Sequence, residues 1–221
     1  APQASPRSTV LVTGSELVRG GRRDANGPFL AEELTRLGLE PTRITVVGDE
    51  ASELEEAIRE ALKADLLVIS GGLGPTHDDR TVELLARAAG LEALVDPELE
   101  REIEAVSRRI AEAFNRPYAE FEAGVRKQAT VPAGGRVIGI AGTAPGLVVE
   151  TDGAVAIVLP GPPPELRRLW QAALGDEAVG RVLGRVQAPE RHVLRTYGVS
   201  ESAVAQALAE LGGEPEGVQA T

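Results

Sequence analysis

Three short apolar runs most constrain what this chain can fold into: STVLVTG at residues 8–14, TRITVVG at 42–48 and DLLVIS at 65–70. Each is too short for a buried helix and is followed by a segment with helical periodicity. In residues 26–38, Phe29, Leu30, Leu34 and Leu37 share one helical face and Gly38 ends it. In residues 51–64, Leu54, Ala57, Ile58 and Leu62 do the same. Residues 80–90 predict a third helix, closed by Gly90. Strand–helix alternation of this kind predicts an α/β fold: three layers, a mostly parallel sheet, right-handed crossovers and helices on both faces. In such folds the ligand site lies beyond the carboxyl ends of the strands.

The second half adds other elements. Residues 96–114 predict a long helix whose Leu99, Ile103, Val106, Ile110 and Ala113 form a narrow apolar stripe. That pattern suits a projecting helix that pairs with another helix, and it predicts a homo-oligomer, a dimer or trimer. Residues 147–161 predict a β-hairpin turning at Asp152 and Gly153. The following helix has prolines in its first turn, and residues 188–198 and 200–212 predict a strand and a capped helix. Domain limits follow: 1–7 a disordered N-terminus, 8–174 the α/β domain, and 175–221 a strand–helix extension that starts a truncated linking subdomain.

The chemistry gathers at strand ends. After the third run comes SGGLGPTHDDRT, residues 70–81. Gly71, Gly72 and Gly74 permit left-handed backbone and close approach, and a glycine turn between strand and helix is a cradle for phosphate. Pro75 adds a rigid corner and Thr76 a hydroxyl donor. Asp78 and Asp79 then place two negative charges beside an anion site. One aspartate is accounted for as an N-cap of the next helix. A divalent cation held by the other and bridging to phosphate resolves the repulsion. Glu16, in TGSE after the first strand, and Asp49, in VVGDE after the second, are acids at the same predicted edge. The LPGPPPE segment, residues 159–165, brings a further loop and a helix N-terminus able to receive a second anion.

Composition narrows the classes. There is no Cys and there are two His, so a thiolate site or cysteine nucleophile is excluded and any metal is held mainly by oxygen. A net charge of −11 with no basic face argues against nucleic acid, and the arginine pair at residues 22–23 reads as solvated surface. No apolar run is long enough to cross a membrane, and the first residues lack the apolar core of a secretory signal; a cytoplasmic protein is expected.

The loop SGGLGPTHDDRT resembles the signature of the CinA family of competence/damage-inducible proteins, whose N-terminal domain shares the molybdopterin-binding fold of MogA, MoaB and MoeA. TGSELVRG with DANGPFL, VVGDE, RKQATVP, GTAPG, LPGPPPEL and RTYGVSES match in order. Ser15 stands where the family commonly has Thr, and the arginines at residues 22–23 are additional. The family's C-terminal deamidase, which acts on nicotinamide mononucleotide, is expected to have no counterpart here. The resemblance implies a divalent-metal-dependent pyrophosphatase (Mg, Mn or Co) that splits ADP-ribose into AMP and ribose 5-phosphate. It implies Asp78, Asp79 and Glu16 as metal ligands, Asp49 as a further ligand or base, and Lys127 as the cation for the leaving phosphate. Thr13, Gly14, Asn26, Ser70, Gly71, Gly72, Gly74, Pro75, Thr76, Gly161 and Pro162 would surround a dinucleotide. The alternative it carries is a binding domain for molybdopterin or its adenylate, without hydrolysis.

Overall fold

The computed structural model describes residues 5–186 and 195–213, and the chain divides into two compact units, Ala1–Ala188 and Pro189–Thr221. The first unit opens with β1 (Ser8–Thr13), a short helix α1 (Ser15–Val18), α2 (Asn26–Arg36), β2 (Pro41–Val47), α3 (Ala51–Ala61), β3 (Leu66–Ser70) and α4 (Thr81–Ala89). It continues with β4 (Ala93–Val95), α5 (Pro97–Ala113), a 3₁₀ turn (Tyr118–Glu120), α6 (Glu122–Gln128) and β5 (Thr130–Pro132). It closes with β6 (Arg136–Ala141), β7 (Ala144–Glu150), β8 (Val155–Leu159), α7 (Pro163–Leu174) and α8 (Glu177–Leu183).

Six strands form one sheet in the order β2-β1-β3-β8-β7-β6, and β4 pairs with β5 in a separate ribbon. Strands β2, β1, β3 and β8 run parallel, whereas β7 is antiparallel to both β8 and β6. The three-layer, mostly parallel α/β architecture is therefore the one the alternation predicts. The hairpin joins β7 to β8 across Asp152 and Gly153, the latter at φ 103°.

Alternation along each central strand feeds two cores. Val10 and Val12 of β1, Leu66 and Val68 of β3, and Ile157 and Leu159 of β8 pack under α2, α7 and α8 around the fully buried Trp170. Leu11, Leu67, Ile69 and Val158 face the other way, toward α3 and α4 and the first half of α5. At the outer edge, β2 keeps Ile44 and Val46 about two-fifths exposed.

The domain limit moves. Ala178, Val179 and Val182 of α8 are buried in the first core, and Asp176 caps α8 while its carboxylate pairs with Arg136 at 2.7 Å. The first unit thus runs to Ala188 rather than stopping at residue 174. The strand predicted over 188–198 lies largely outside the described residues; of the stretch 1–7 expected to be disordered, 1–4 lie outside them too, whereas Pro6 is buried and the Arg7 N–H donates to Asp65 Oδ2 at 2.8 Å. In the second unit, α9 (Glu201–Glu210) forms as expected, with the Ser200 hydroxyl accepting from the Ala203 N–H at 3.2 Å.

Candidate active site

The carboxyl ends of β1, β3 and β8 open onto a cleft of about 440 Å³. Its floor is the glycine loop after β3. Gly71 and Gly72 have φ of 106° and 66°, conformations that cost an L side chain energy. They have no room for one either: a methyl at Gly71 would overlap the Thr13 carbonyl, and one at Gly72 the Thr81 hydroxyl. Buried Thr81 holds the loop, its hydroxyl donating to Gly71 O at 2.8 Å and its N–H to Gly72 O at 3.3 Å. Gln128, at the end of α6, reaches over and donates to Leu73 O at 2.9 Å. The loop is thereby set before any ligand arrives.

Asn26 ties three loops together. It is buried at the start of α2, and its Nδ2 donates to Ser70 Oγ at 2.9 Å and to Gly161 O at 2.7 Å. Both amide hydrogens are therefore spent on the scaffold, and only Oδ1 remains for a ligand. Asp24 accepts from the Asn26 and Gly27 N–H groups at 2.8 and 3.0 Å and so serves as the acid of this helix start. Asp49 performs the same stitching at the β1–α1 turn. It accepts from Thr13 Oγ1 at 3.1 Å and from the Ser15 N–H at 2.8 Å, while its own N–H donates to Ser15 Oγ.

The aspartate pair departs from the expected arrangement. The residue preceding α4 is Arg80, and neither Asp78 nor Asp79 caps that helix. Both turn back instead onto Thr76. The Thr76 N–H donates to Asp79 Oδ2 at 3.0 Å, and the Thr76 hydroxyl lies within hydrogen-bond reach of both carboxylates. One hydroxyl hydrogen serves one carboxylate at a time. The Thr76 hydrogen bond, then the residue's own N–H, hold the Asp78 carboxyl below its ordinary value, with the charges of His77 and Lys127 adding to the effect. Asp79 Oδ1 has no protein donor among the described residues, and Asp79 is one of the residues that line the cleft.

The cleft gathers Thr13, Gly14, Glu16, Asn26, Asp49, Ser70, Gly71, Gly72, Gly74, Pro75, Asp78, Asp79, Gly161 and Pro162. Two residues from the sequence reading fall elsewhere. Thr76 sits behind the aspartates as their donor. Lys127 lines a neighbouring cleft of about 190 Å³ that shares Gly72, Leu73, Gly74 and Asp79 with the first, with Nζ bonded to Thr76 O. Four charged side chains line it that the sequence did not assign to the site: Arg22 and Arg23, expected to be solvated surface, and Asp24 and Glu165. Their signal was position, since residues 22–24 lie between TGSE and Asn26, and Glu165 closes the LPGPPPE segment. Glu165 stands in the first turn of α7 near Gly142, and burial alone pushes its carboxyl above the ordinary value.

For a metal, the donors present are oxygen only. Among the described residues no three acidic or imidazole side chains converge into a cage. The free oxygen of Asp79, with Asp78 beside it, fits a hard cation that takes one or two carboxylates and completes its shell from ligand phosphate and water.

A rigid glycine cradle at the carboxyl edge of a mostly parallel sheet defines the class: a small-molecule-binding α/β domain. The chain matches the family described as "Probable molybdopterin binding domain" over residues 9–179. It is 42% identical over 207 residues to a CinA-like protein of Mycobacterium leprae, covering 92% of this chain and 48% of that protein. A CinA-like protein of Mycolicibacterium gilvum is 41% identical over 216 residues, at 96% and 51% coverage. The chain spans about half the length of these curated relatives. The crystal structure of CinA from Thermoplasma acidophilum superposes with a TM-score of 0.65 at 34% identity, covering 79% of this chain and 98% of that one. The Mog protein of Mycobacterium ulcerans, at TM-score 0.51 and 22% identity over 83% of this chain and 99% of that one, shares the fold. The chain belongs to the probable molybdopterin binding domain family and, within it, to the CinA-like proteins.

Among the described residues no helix is long and apolar enough to cross a membrane.

Proposed function

We propose that this domain hydrolyses the diphosphate of ADP-ribose, releasing AMP and ribose 5-phosphate, with a divalent cation as cofactor. The observation that carries the reading is the pre-set glycine loop with a free carboxylate oxygen of Asp79 at its rim. Backbone N–H groups of a glycine turn bind phosphate without paying for reorganisation. Asp78 and Asp79 would hold the cation at that phosphate, and Glu16, an exposed acid lining the same cleft, would supply a further ligand or take a proton from water. When bound, such an ion would supply polarisation of the diphosphate and a lowered pKa for an attacking water. Asp49, with both oxygens engaged by Thr13 and Ser15, keeps the lip in place. Lys127 acts through Thr76, orienting the aspartate turn from behind.

A second reading has its own support. Because Asp78 and Asp79 share the Thr76 donor and, among the described residues, no three acids converge into a ready-made metal cage, the cleft also suits retention of a phosphorylated pterin without hydrolysis.

The test is to incubate the protein with ADP-ribose and magnesium, manganese or cobalt, and to assay AMP. AMP should appear only with metal, and Asp79→Asn should reduce turnover at least tenfold while the melting temperature barely moves. The amide still accepts from the Thr76 N–H, so the turn survives. Full turnover in chelator, or no AMP with any ion, refutes the hydrolytic reading.

A further inference from the structure

The cleft has a charge problem that its metal ligands do not solve. Six carboxylates line it: Glu16, Asp24, Asp49, Asp78, Asp79 and Glu165. Asp24 and Asp49 are neutralised in part by the N–H and hydroxyl donors described above, but the others are not all so served. One divalent ion leaves an excess of negative charge facing a ligand that is itself anionic. Lys127, the cation expected for this task, lines the neighbouring cleft and gives one of its three N–H donors to Thr76 O, so its charge acts on the aspartate turn. Arg22 and Arg23 are the two basic residues among those that line the main cleft.

We propose that Arg22 and Arg23 form the cationic clamp of the site and select ligands that carry two adjacent phosphates. Both side chains are exposed in the segment between α1 and α2, and neither pairs with a carboxylate among the described residues. Their guanidinium groups are therefore available. Their backbone is placed: the Arg22 N–H donates to Glu16 O at 3.1 Å, and Asp24 immediately beyond is bound to the first turn of α2. The pair is thus anchored at both ends over the cleft, on the same side as Glu16. Two neighbouring planar forks match two neighbouring phosphates, each able to accept a bidentate pair, whereas a single phosphate engages one fork well. The clamp lies outside any element, so it adds charge without burying it.

This inference rests on the phosphate-binding reading of the cleft but not on hydrolysis. Binding of inorganic pyrophosphate and of orthophosphate is measured by calorimetry, with and without magnesium, for wild type, Arg22→Gln/Arg23→Gln and the nearby Arg19→Gln, which does not line the cleft. Pyrophosphate should bind wild type more tightly than orthophosphate. The double variant should lose roughly tenfold or more in pyrophosphate affinity, as expected when charge-assisted hydrogen bonds go. Its melting temperature should not change, and Arg19→Gln should bind as wild type does. An unchanged affinity in the double variant overturns the clamp, and so does an equal loss in Arg19→Gln, which would reveal a diffuse charge effect. Absence of pyrophosphate binding in wild type also overturns it. Tight binding that depends on the arginines, with no AMP released from ADP-ribose, leaves the clamp standing and removes only the hydrolytic reading.

Discussion

At the scale of residues, the cleft depends on side chains that serve the scaffold as much as the ligand. Asn26 is the clearest case. Truncation to Ala leaves the buried Ser70 hydroxyl and the Gly161 carbonyl each short of a donor, at a cost of about 1–3 kcal/mol. We expect Asn26→Ala to lower the melting temperature and weaken ligand binding together, checked by thermal unfolding and calorimetry. A loss of binding with unchanged stability would make Asn26 a ligand contact alone. Glu165 behaves oppositely. Its carboxyl is raised by burial above the ordinary value of 4.5. The unfolded chain therefore ionises it first, and holding it in the cleft costs stability as pH rises through that window. Glu165→Gln should match wild-type stability at low pH, where both side chains are neutral, and exceed it near neutrality. Unfolding midpoints measured from pH 4 to pH 8 check this, and a difference independent of pH would be the contrary result.

At the scale of elements, the glycine loop is a strand–helix connection whose geometry is enforced from three directions. β3 delivers it, Thr81 at the head of α4 ties its carbonyls, and Gln128 of α6 ties its middle. Gly72 adopts φ 66° against the Thr81 hydroxyl. Gly72→Ala should therefore lose at least about 1 kcal/mol from backbone strain, with the overlap at Thr81 adding to it. Because the strain falls on the cradle, ligand affinity should fall by a larger factor than in Gly90→Ala. Gly90 has a similar φ of 68° at the end of α4 with open space around it. Equal effects of the two variants on binding would show that the close approach at Gly72 does not matter.

At the scale of the whole molecule, the long helix α5 bears on assembly. Two of the five stripe residues are already occupied: Leu99 and Ile103 are buried in the chain's own second core. Val106 and Ile110 are half-buried, and Phe114 beyond them is 72% exposed. Self-association, if α5 mediates it, uses its last turns. Val106→Glu/Ile110→Glu should then leave the fold intact and reduce the mass seen by light scattering. A wild type that is monomeric at high micromolar concentration would end that expectation.

The sequence by itself determined the layers, because strand length and helical periodicity are local and the two cores require them. It also marked where chemistry gathers, since glycines, aspartates and capping residues act through the few residues beside them. Tertiary structure decided which of those residues meet. Asp78 and Asp79 were legible as a pair, but their turn onto Thr76 depends on the path of the loop, and α4 starts without either as its cap. Lys127 lies on α6, whose placement beside the glycine loop follows from packing far from the motif, so its side chain lines the neighbouring cleft. Arg22 and Arg23 looked like solvent-facing charge because nothing local distinguishes an exposed arginine from one over a cleft. The difference comes from β1, β3 and β8 lying side by side in the sheet, which brings loops widely separated in sequence around one volume.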